Sequence, residues 1–315
     1  MKKISIVIPI YFNEPNIQSL YDVLNKDVLN KLQKYDYEII FVDDGSKDKS
    51  IEKIQELQSK HPKITLIKLS RNFGSHSAIL AGLSVATGDV ATFISADLQD
   101  PPKIILQMLE KWELGADSVI AVRKDREESF IQKLFSNTYY KIMRKIALKN
   151  MPLGGFDCFL IDRKVINTIV KMNENNTSLM GLILWSGYNI TEIKYTRKAR
   201  EAGKSRWTFG KKVKYFTDSI VSFSFFPLRV ITIIGILFSL ISSIWMIVIL
   251  FSWIFGNIQV QGFTTLILVI LFSSGLILFS LGMIGEYLWR VLDASRKRPT
   301  FIIDEIIEPK KGSKK

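Results

Sequence analysis

Polar and acidic side chains that suit a metal–diphosphate site follow a short apolar run. The run Val90–Ile94 predicts a buried strand, and the turn Ser95–Pro102 comes directly after it. This turn contains Asp97, Gln99 and Asp100. Carboxylate and amide oxygens are ligands that Mg²⁺ and Mn²⁺ prefer, usually together with substrate phosphates. A metal–diphosphate site and an acidic turn that caps the next helix are equally good interpretations of the spacing alone.

The elements that must position this turn alternate between strands and helices. The apolar runs predicted to be strands are Ile4–Pro9, Tyr37–Val42, Ile64–Leu69, Val90–Ile94 and Ser118–Val122. Helical patterns separate them, which predicts a mostly parallel, Rossmann-like sheet in an α/β domain. Such sheets bind ligands at the carboxyl ends of their strands. The glycine patterns of dinucleotide-binding and P-loop proteins are absent, so hydride transfer and ATP hydrolysis lose their main support.

The single cysteine and the basic net charge limit which metal sites and partners are possible. Cys158 is the single cysteine, which excludes an internal disulfide and a cysteine-clustered zinc site. The formal net charge of +13 implies an anionic partner. Many of the basic residues collect beside the apolar runs described next, so we expect a lipid surface as the partner and no nucleic acid.

Two long uncharged runs predict a membrane hairpin. Val230–Gly256 and Phe263–Gly285 contain no charged residue, and each is long enough to cross a hydrocarbon core of about 30 Å as a helix. Arg229 precedes the first run, and Arg290 and Arg296 follow the second. The positive-inside rule then places both termini in the cytoplasm. The alternative is a pair of buried helices in a soluble core.

Two basic stretches could meet an anionic membrane surface. Phe130–Leu148 has apolar residues at helical spacing between basic ones, which suits a membrane-surface helix as well as an ordinary surface helix. Lys194–Lys214 is the densest basic stretch, with Trp207 and Phe209 interleaved. Within it, Arg200 and Lys204–Arg206 resemble a site for one particular phosphate.

These patterns predict four parts of the chain. Residues 1–193 form a catalytic domain, and residues 194–229 form a basic and aromatic juxtamembrane segment. Residues 230–289 hold two transmembrane helices, at about 230–256 and 263–288, and residues 290–315 form a basic tail. Inside the first part, Gly154–Asp157 is expected to be a flexible turn that ends in a carboxylate.

Several motifs occur in an order that marks a known family. They are Val7–Glu14, Val42–Ser46, Arg71–Gly74 with Ala81–Gly82, Ala96–Pro102, Arg200-x-x-Gly203-x-Ser205, and Gly285–Leu288. Together they resemble the polyprenyl-phosphate glycosyltransferases of glycosyltransferase family 2, of the dolichyl-phosphate mannose synthase type. The bacterial branch with two C-terminal membrane helices is the most similar. The resemblance covers roughly residues 4–303.

The resemblance implies a fold, a reaction and partners. It implies a GT-A catalytic domain on the cytoplasmic side of a bacterial cytoplasmic membrane, with Mg²⁺ or Mn²⁺ as cofactor. The expected reaction is inverting transfer of one hexose-type sugar from a nucleoside-diphosphate sugar, with UDP favoured, to a polyprenyl phosphate such as undecaprenyl phosphate. The product would be a lipid-linked sugar for cell-envelope glycosylation. A homo-oligomer is compatible with the sequence, which does not specify the oligomeric state.

The resemblance also assigns roles to positions of this chain. The residues expected to hold the donor nucleotide are Pro9, Tyr11, Glu14, Asp43 and Asp97. Asp97 and Gln99 are expected at the metal and diphosphate, and Asp97 and Asp157 are the expected catalytic carboxylates. Acceptor or leaving-group phosphates are expected at Arg123, Lys133, Ser136, Arg200, Ser205 and Arg206.

One position departs from the family pattern. The family usually has Asp-x-Asp where this chain has Ser95-x-Asp97, and a hydroxyl cannot replace a charged ligand. We therefore expect weaker metal binding, or compensation by Asp100 or the donor phosphates.

Two other functions remain open at this point. A processive polysaccharide synthase would have more membrane spans and a Gln-x-x-Arg-Trp motif, but Gly203 stands where Arg206-Trp207 would need the glutamine. A non-catalytic membrane scaffold or lipid-binding subunit is supported by Ser95 and the basic surface.

Overall fold

The computed structural model describes residues 1–123, 130–152, 154–175, 177–196, 209–255 and 262–309. The strands are β1 Lys2–Ile10, β2 Tyr35–Asp43, β3 Ile64–Leu69, β4 Val90–Phe93, β5 Ser118–Arg123, β6 Phe156–Asp162, β7 Ile190–Tyr195 and β8 Ile303–Ile307. The α-helices are α1 Ile17–Asp27, α2 Ser50–Lys60, α3 Ser75–Val85, α4 Ile104–Glu113, α5 Phe130–Ile146, α6 Arg163–Met172, α7 Leu179–Trp185, α8 Phe209–Phe223, α9 Phe226–Ile254 and α10 Phe263–Ser295.

The strands form one eight-stranded sheet in the order β7-β5-β6-β4-β1-β2-β3-β8. β1 pairs in parallel with β2 and β4, β2 with β3, and β5 with β7. β6 and β8 run antiparallel to their neighbours. The predicted α/β class and mostly parallel sheet are thus confirmed, with two antiparallel strands that the sequence patterns did not reveal.

Close packing of helices on the central strands explains the apolar runs. Every residue of β4 is buried, as expected for a parallel strand covered on both faces. Gly82 of α3 lies against Val7 of β1 and Val42 of β2, so that any Cβ at this position would overlap their side chains. The Ala81–Gly82 motif is therefore explained by the close approach of α3 to the sheet.

The two ends of the sheet carry different polar groups. We call the end where β1, β2, β4, β5 and β7 finish, and where antiparallel β6 starts, the carboxyl end. The opposite end is the amino end. There the Glu38 carboxylate accepts hydrogen bonds from Lys3 Nζ at 2.6 Å and Ser5 Oγ at 2.6 Å. Thr87 donates to it from its backbone nitrogen at 2.7 Å and its hydroxyl at 2.8 Å. This network fixes the turn that leads into β4.

The chain divides into two compact units. One comprises residues 1–219 and 299–315, and the other comprises residues 220–298 with α9 and α10. The segments Phe226–Ser252 and Val269–Ser295 are long and apolar enough to cross a membrane, and none of the residues in their most apolar windows is buried. A core helix of a soluble protein would be mostly buried, so this exposure favours the predicted membrane hairpin over the soluble alternative.

The family motif Gly285–Leu288 joins the two long helices at one end. The Tyr287 hydroxyl donates to the backbone carbonyl of Ser224, just before α9, at 3.0 Å. One turn later, Arg290 pairs with Glu286 at 3.1 Å. The Tyr287 hydrogen bond ties the segment before α9 to α10, and the Arg290–Glu286 pair lies within α10.

Several predicted boundaries differ from the structure. The boundary at residue 193 falls inside β7, and residues 290–295 continue α10 instead of starting a tail. Residues 303–307 form β8, which pairs with β3 at the edge of the sheet. The predicted turn Gly154–Asp157 is wrong in its second half, because Phe156 and Asp157 begin β6. These segments are too short or too polar to show as apolar runs, and only their pairing in the sheet defines them.

Candidate active site

The loop after β1 is held against the segment that follows β2. The Phe12 backbone N–H donates to Ser46 Oγ at 3.0 Å, and the Asn13 N–H donates to Ser50 Oγ at 3.1 Å. The Tyr11 and Phe12 rings meet edge to face at 4.6 Å, and each residue is 36% exposed. The predicted nucleoside residue Tyr11 thus presents an aromatic surface at the carboxyl end of the sheet.

Two other predicted nucleoside residues flank this loop. Pro9 lies in β1 opposite Val42 of β2. Glu14 accepts a hydrogen bond from the Lys49 backbone N–H at 3.3 Å, and its own N–H donates to Asp48 at 3.3 Å. The structure therefore brings the end of β1 and the segments after β1 and β2 together.

Asp43, the last residue of β2, is a buried carboxylate with one oxygen left for a ligand. It is 1% exposed, and its Oδ2 accepts the Ser46 backbone N–H at 3.0 Å. Its Oδ1 has no hydrogen-bond partner among the described residues. Burial raises the pKa of Asp43, and the hydrogen bonds from Ser46 only partly offset this. A buried acceptor of this kind is destabilising unless a donor reaches it.

Asp44 organises the neighbouring motif, a role that the sequence patterns did not reveal. Its two carboxylate oxygens accept the backbone N–H groups of Phe73 at 2.7 Å and Gly74 at 2.9 Å, just before α3. Gly45 has φ of +77°, and a Cβ there would lie 2.9 Å from the Arg71 carbonyl carbon. The Asp43–Ser46 and Arg71–Gly74 motifs therefore pack against each other and are joined by hydrogen bonds.

The turn after β4 orients Asp97. Its Oδ1 accepts a hydrogen bond from Ser95 Oγ at 2.7 Å and the Gln99 backbone N–H at 3.3 Å. Leu98 has φ of +55°, which bends the turn sharply. Ser95 thus occupies the usual aspartate position of the family as a hydrogen-bond donor to Asp97.

The donor set of this turn fits a metal that takes most of its ligands from a substrate. Among the described residues, no three acidic, histidine or cysteine side chains are grouped as a metal cage. Mg²⁺ commonly binds to one or two carboxylates and completes its shell with phosphates and water. The half-buried carboxylate of Asp97, held in one orientation, meets that requirement.

Asp157 lies where β5 and β6 shift register. The shift occurs between Ala121 and Val122, and Val122 pairs with Phe156, so Asp157 is an extra residue in β6. Such a β-bulge re-aims a side chain and is frequent beside active sites. The Asp157 carboxylate forms an ion pair with Nε of Arg123. Two predicted site residues, one for the sugar and one for phosphate, are therefore in direct contact.

Tyr195 joins this pair to the turn after β4. It is the last residue of β7 and pairs with Arg123 across the sheet. Its hydroxyl donates to Asp100 Oδ1 at 2.6 Å and lies 3.3 Å from Asp157 Oδ2. Tyr195 and Asp100 are 5% and 3% exposed. Tyr195 was not predicted, although the alternation of polar residues with Ile193 and Tyr195 is a weak strand signal.

Burial and charge set the protonation of these groups. Burial alone would lower the pKa of Arg123, but its contact with Asp157 outweighs that effect and raises the pKa. Burial and the nearby Asp157 and Asp100 carboxylates raise the pKa of Tyr195 far above its ordinary value. The site therefore holds a charged guanidinium and a neutral phenol at neutral pH.

The remaining predicted phosphate ligands are only partly placed. Lys133 and Ser136 belong to α5, and their side chains lie outside the described residues. Arg200, Ser205 and Arg206 also lie outside the described residues. Of the predicted acceptor-phosphate residues, Arg123 is the one that the described part of the chain places at the carboxyl end of the sheet.

The sequence from residue 5 to 170 matches the model of the family described as Glycosyl transferase family 2. The uncharacterized glycosyltransferase YkcC of Bacillus subtilis (strain 168) is 38% identical over 302 residues, covering 96% of this chain and 93% of its own. The chain belongs to glycosyl transferase family 2. The protein is a glycosyltransferase, as its motifs predicted, and the scaffold alternative loses its support.

A relative whose name states an activity covers the chain as completely. Bactoprenol glucosyl transferase of Shigella phage SfV is 36% identical over 305 residues, covering 96% of this chain and 98% of its own. Among solved structures, the mannosyltransferase PcManGT from Pyrobaculum calidifontis, in complex with GDP-Man and Mn²⁺, has 17% identity and a TM-score of 0.44. The similarity covers 61% of this chain and 55% of that one.

Proposed function

We propose that this glycosyltransferase moves one sugar from a nucleoside-diphosphate sugar, UDP-linked by preference, to a polyprenyl phosphate such as undecaprenyl phosphate. The observation that carries the proposal is the set of groups at the carboxyl end of the sheet. A buried acceptor at Asp43, an oriented carboxylate at Asp97 and the Asp157–Arg123 pair lie there together. The relatives named bactoprenol glucosyl transferases support a prenyl phosphate as the acceptor.

The end of β2 suits the base of the donor. Asp43 Oδ1 is an acceptor, so it would pair with a ring N–H, which uracil and guanine have and cytosine lacks. The exposed Tyr11 ring offers a surface for stacking, and Pro9 and Glu14 lie on either side of Tyr11 in the sequence. Uracil remains our preferred base from the family resemblance.

The turn after β4 suits the diphosphate. Asp97 and Gln99 would hold Mg²⁺ or Mn²⁺, and a bound metal would stabilise the charge of the departing diphosphate. Ser95 contributes a neutral hydroxyl, so the donor phosphates would supply more of the metal ligands than in relatives with two aspartates.

The acceptor brings its own nucleophile. A phosphate monoester has a second pKa of about 6, so at neutral pH it is largely a dianion and requires no general base. Its oxygen would attack the anomeric carbon while the bond from that carbon to the diphosphate oxygen breaks, which inverts the configuration. Positioning and electrostatic stabilisation are then the tasks of the protein. The ion pair of Asp157 with Arg123 suits Asp157 to orienting the sugar or the acceptor.

The chain connectivity supports a location at one face of a membrane. β8 follows α10 in sequence and pairs with β3, so the segments before α9 and after α10 belong to the same folded unit. Both flanks of the hairpin must then lie on one side, and their basic residues favour the cytoplasmic side of the bacterial membrane. Lys133, Ser136, Arg200, Ser205 and Arg206 would receive phosphate groups near that surface.

Radiolabelled transfer tests this proposal. The full chain in detergent, with undecaprenyl phosphate and a panel of UDP- and GDP-sugars, should place label in an organic-extractable lipid for one donor and only with Mg²⁺ or Mn²⁺. The product should carry a single sugar. A polymeric product would indicate a processive synthase, and folded protein that labels no lipid with any donor would refute the proposal.

A further inference from the structure

We infer that Tyr195 is a positioning residue that fixes the turn Ser95–Pro102 relative to the Asp157–Arg123 pair. The inference rests on the proposed function, because it concerns the two halves of the same site. One half contains the groups proposed for the metal and diphosphate, and the other contains those proposed for the sugar and the acceptor.

The sheet brings the participants together from separate parts of the sequence. Tyr195 and Arg123 are paired at the last residues of β7 and β5. Asp157 enters from the start of antiparallel β6, and Asp100 comes from the turn after β4. The Tyr195 hydroxyl lies between the two carboxylates, 2.6 Å from Asp100 Oδ1 and 3.3 Å from Asp157 Oδ2.

The Tyr195 hydroxyl donates mainly to Asp100 and not to Asp157. A phenol has one proton, so Tyr195 can donate fully to one carboxylate at a time. The Asp100 contact is the shorter, and Asp157 already receives the Nε–H of Arg123. The proton of Tyr195 therefore holds Asp100, while the charge of Asp157 is balanced by Arg123. The phenol thereby lies between two carboxylates, buried Asp100 and partly exposed Asp157, that would otherwise repel each other.

Asp100 transmits this restraint to the groups proposed for the donor. It follows Gln99 directly and lies three residues after Asp97. Because Asp100 is 3% exposed and bound to the end of β7, the turn is anchored at its C-terminal side. At its N-terminal side the turn is anchored by the backbone bond from Ile94 N–H to the Val7 carbonyl at 3.0 Å. Releasing one anchor should let Asp97 shift relative to Asp157.

The test compares Tyr195→Phe with Tyr35→Phe in the full chain. Tyr35 lies at the amino end of the sheet, where its hydroxyl also donates to a carboxylate, that of Glu113. Both variants thus lose the same kind of bond at opposite ends of one sheet. Three quantities are measured, namely amide hydrogen exchange in residues 95–102, the gain in UDP or GDP affinity on adding Mn²⁺, and kcat for transfer to undecaprenyl phosphate.

We expect Tyr195→Phe to speed exchange in residues 95–102 about tenfold and to lower the Mn²⁺-linked gain in nucleotide affinity about tenfold. We expect kcat to fall about 10- to 100-fold, because small misplacements of reacting groups have effects of this size. Metal-free nucleotide affinity should stay unchanged, since Asp43 is not involved. Tyr35→Phe should leave all these quantities at the wild-type values.

The outcomes separate this inference from the proposed function. Wild-type exchange, Mn²⁺-linked gain and kcat in Tyr195→Phe would overturn the inference. The inference would also be overturned if Tyr195→Phe lowered metal-free nucleotide affinity and thermal stability as strongly as it lowered the Mn²⁺-linked gain. That result would indicate a purely structural role. Faster exchange and a reduced Mn²⁺ gain, in a wild-type protein that transfers no sugar, would support the inference and refute the proposed acceptor. Exchange alone decides the inference if the wild type binds neither nucleotide.

Discussion

Two carboxylates at the amino and carboxyl ends of one sheet, Glu38 and Asp43, differ in how fully they are hydrogen-bonded. At the amino end, Glu38 accepts hydrogen bonds from Lys3, Ser5 and Thr87 on both of its oxygens. At the carboxyl end, Asp43 keeps one buried oxygen without a partner among the described residues. The first arrangement stabilises the fold, and the second keeps an acceptor ready for a ligand at the expense of stability.

The pKa of Glu38 at the amino end shifts in the opposite direction to the pKa values of Asp43 and Asp44 at the carboxyl end. Burial by itself would raise the pKa of Glu38, but the hydrogen bonds from Lys3, Ser5 and Thr87 outweigh it, so the pKa is lowered. Burial raises the pKa of Asp43 and of Asp44, because their backbone hydrogen bonds do not compensate fully. The opposite shifts thus reflect how fully hydrogen bonds offset burial, and Asp43 differs from Asp44 in keeping one oxygen without a partner among the described residues.

Breaking the amino-end network should have the largest effect on stability. Glu38→Gln presents an amide N–H₂ group where Lys3 and Thr87 require an acceptor, so we expect a loss of about 2–3 kcal/mol in the free energy of unfolding. Urea denaturation of the full chain in detergent measures it. Asp36→Asn is the matched control, since Asp36 also pairs with a lysine at 2.6 Å but with both side chains nearly half exposed. That change should cost under about 1 kcal/mol.

The pH dependence of this effect has a definite sign. A carboxylate with a lowered folded-state pKa contributes stability above its unfolded pKa, and this contribution is lost as the pH falls through the folded-state value. The difference in stability between wild type and Glu38→Gln should therefore be constant near neutral pH and shrink below pH 4.5, the ordinary value for glutamate. A difference that grows on acidification would contradict the assignment.

Replacing the buried acid at the carboxyl end should have the reverse effect on stability. Asp43→Asn removes a charge whose burial is unfavourable, so we expect a gain of about 1 kcal/mol in the free energy of unfolding. Nucleotide affinity, measured by calorimetry without metal, should fall about tenfold, because the amide has only one acceptor oxygen where the carboxylate has two. A less stable variant with wild-type affinity would remove the distinction between the two ends.

The smallest expected effects are at Ser95. Ser95→Ala removes the hydroxyl that orients Asp97, and we expect the Mn²⁺-linked gain in nucleotide affinity to fall about threefold. Ser95→Asp restores the usual family carboxylate and should increase that gain several-fold, while lowering metal-free stability through repulsion from Asp97. Equal metal dependence in both variants would show that position 95 does not influence the metal.

The sequence predicts the donor half of the site better than the acceptor half. Asp43 ends β2 and Asp97 lies in the turn after β4, so the apolar runs and the turn residues that follow them place both at one end of the sheet. Asp157 and Tyr195 lie on β6 and β7, whose positions depend on an antiparallel insertion and a register shift. No local pattern encodes either, because both depend on pairing between segments far apart in the chain.

Local sequence patterns also did not predict that residues after α10 form β8 and pair with β3. β8 is only five residues long, and charged side chains at Asp304 and Glu305 interrupt its apolar pattern. A pairing partner in β3 and a salt bridge from Lys68 to Glu305 at 3.0 Å define the strand. Predicting a basic tail there was reasonable from charge alone and was wrong because edge strands tolerate charge.

Sugar transfer by Asp97→Asn and Glu38→Gln, compared in one assay, tests the central claim that chemistry belongs to the carboxyl end of the sheet. Both full-length proteins are assayed with undecaprenyl phosphate and the preferred nucleotide sugar, well below the lower of their melting temperatures. We predict that Asp97→Asn loses at least about 100-fold in kcat with unchanged stability, while the less stable Glu38→Gln keeps kcat within about twofold. Full activity in Asp97→Asn would contradict the account.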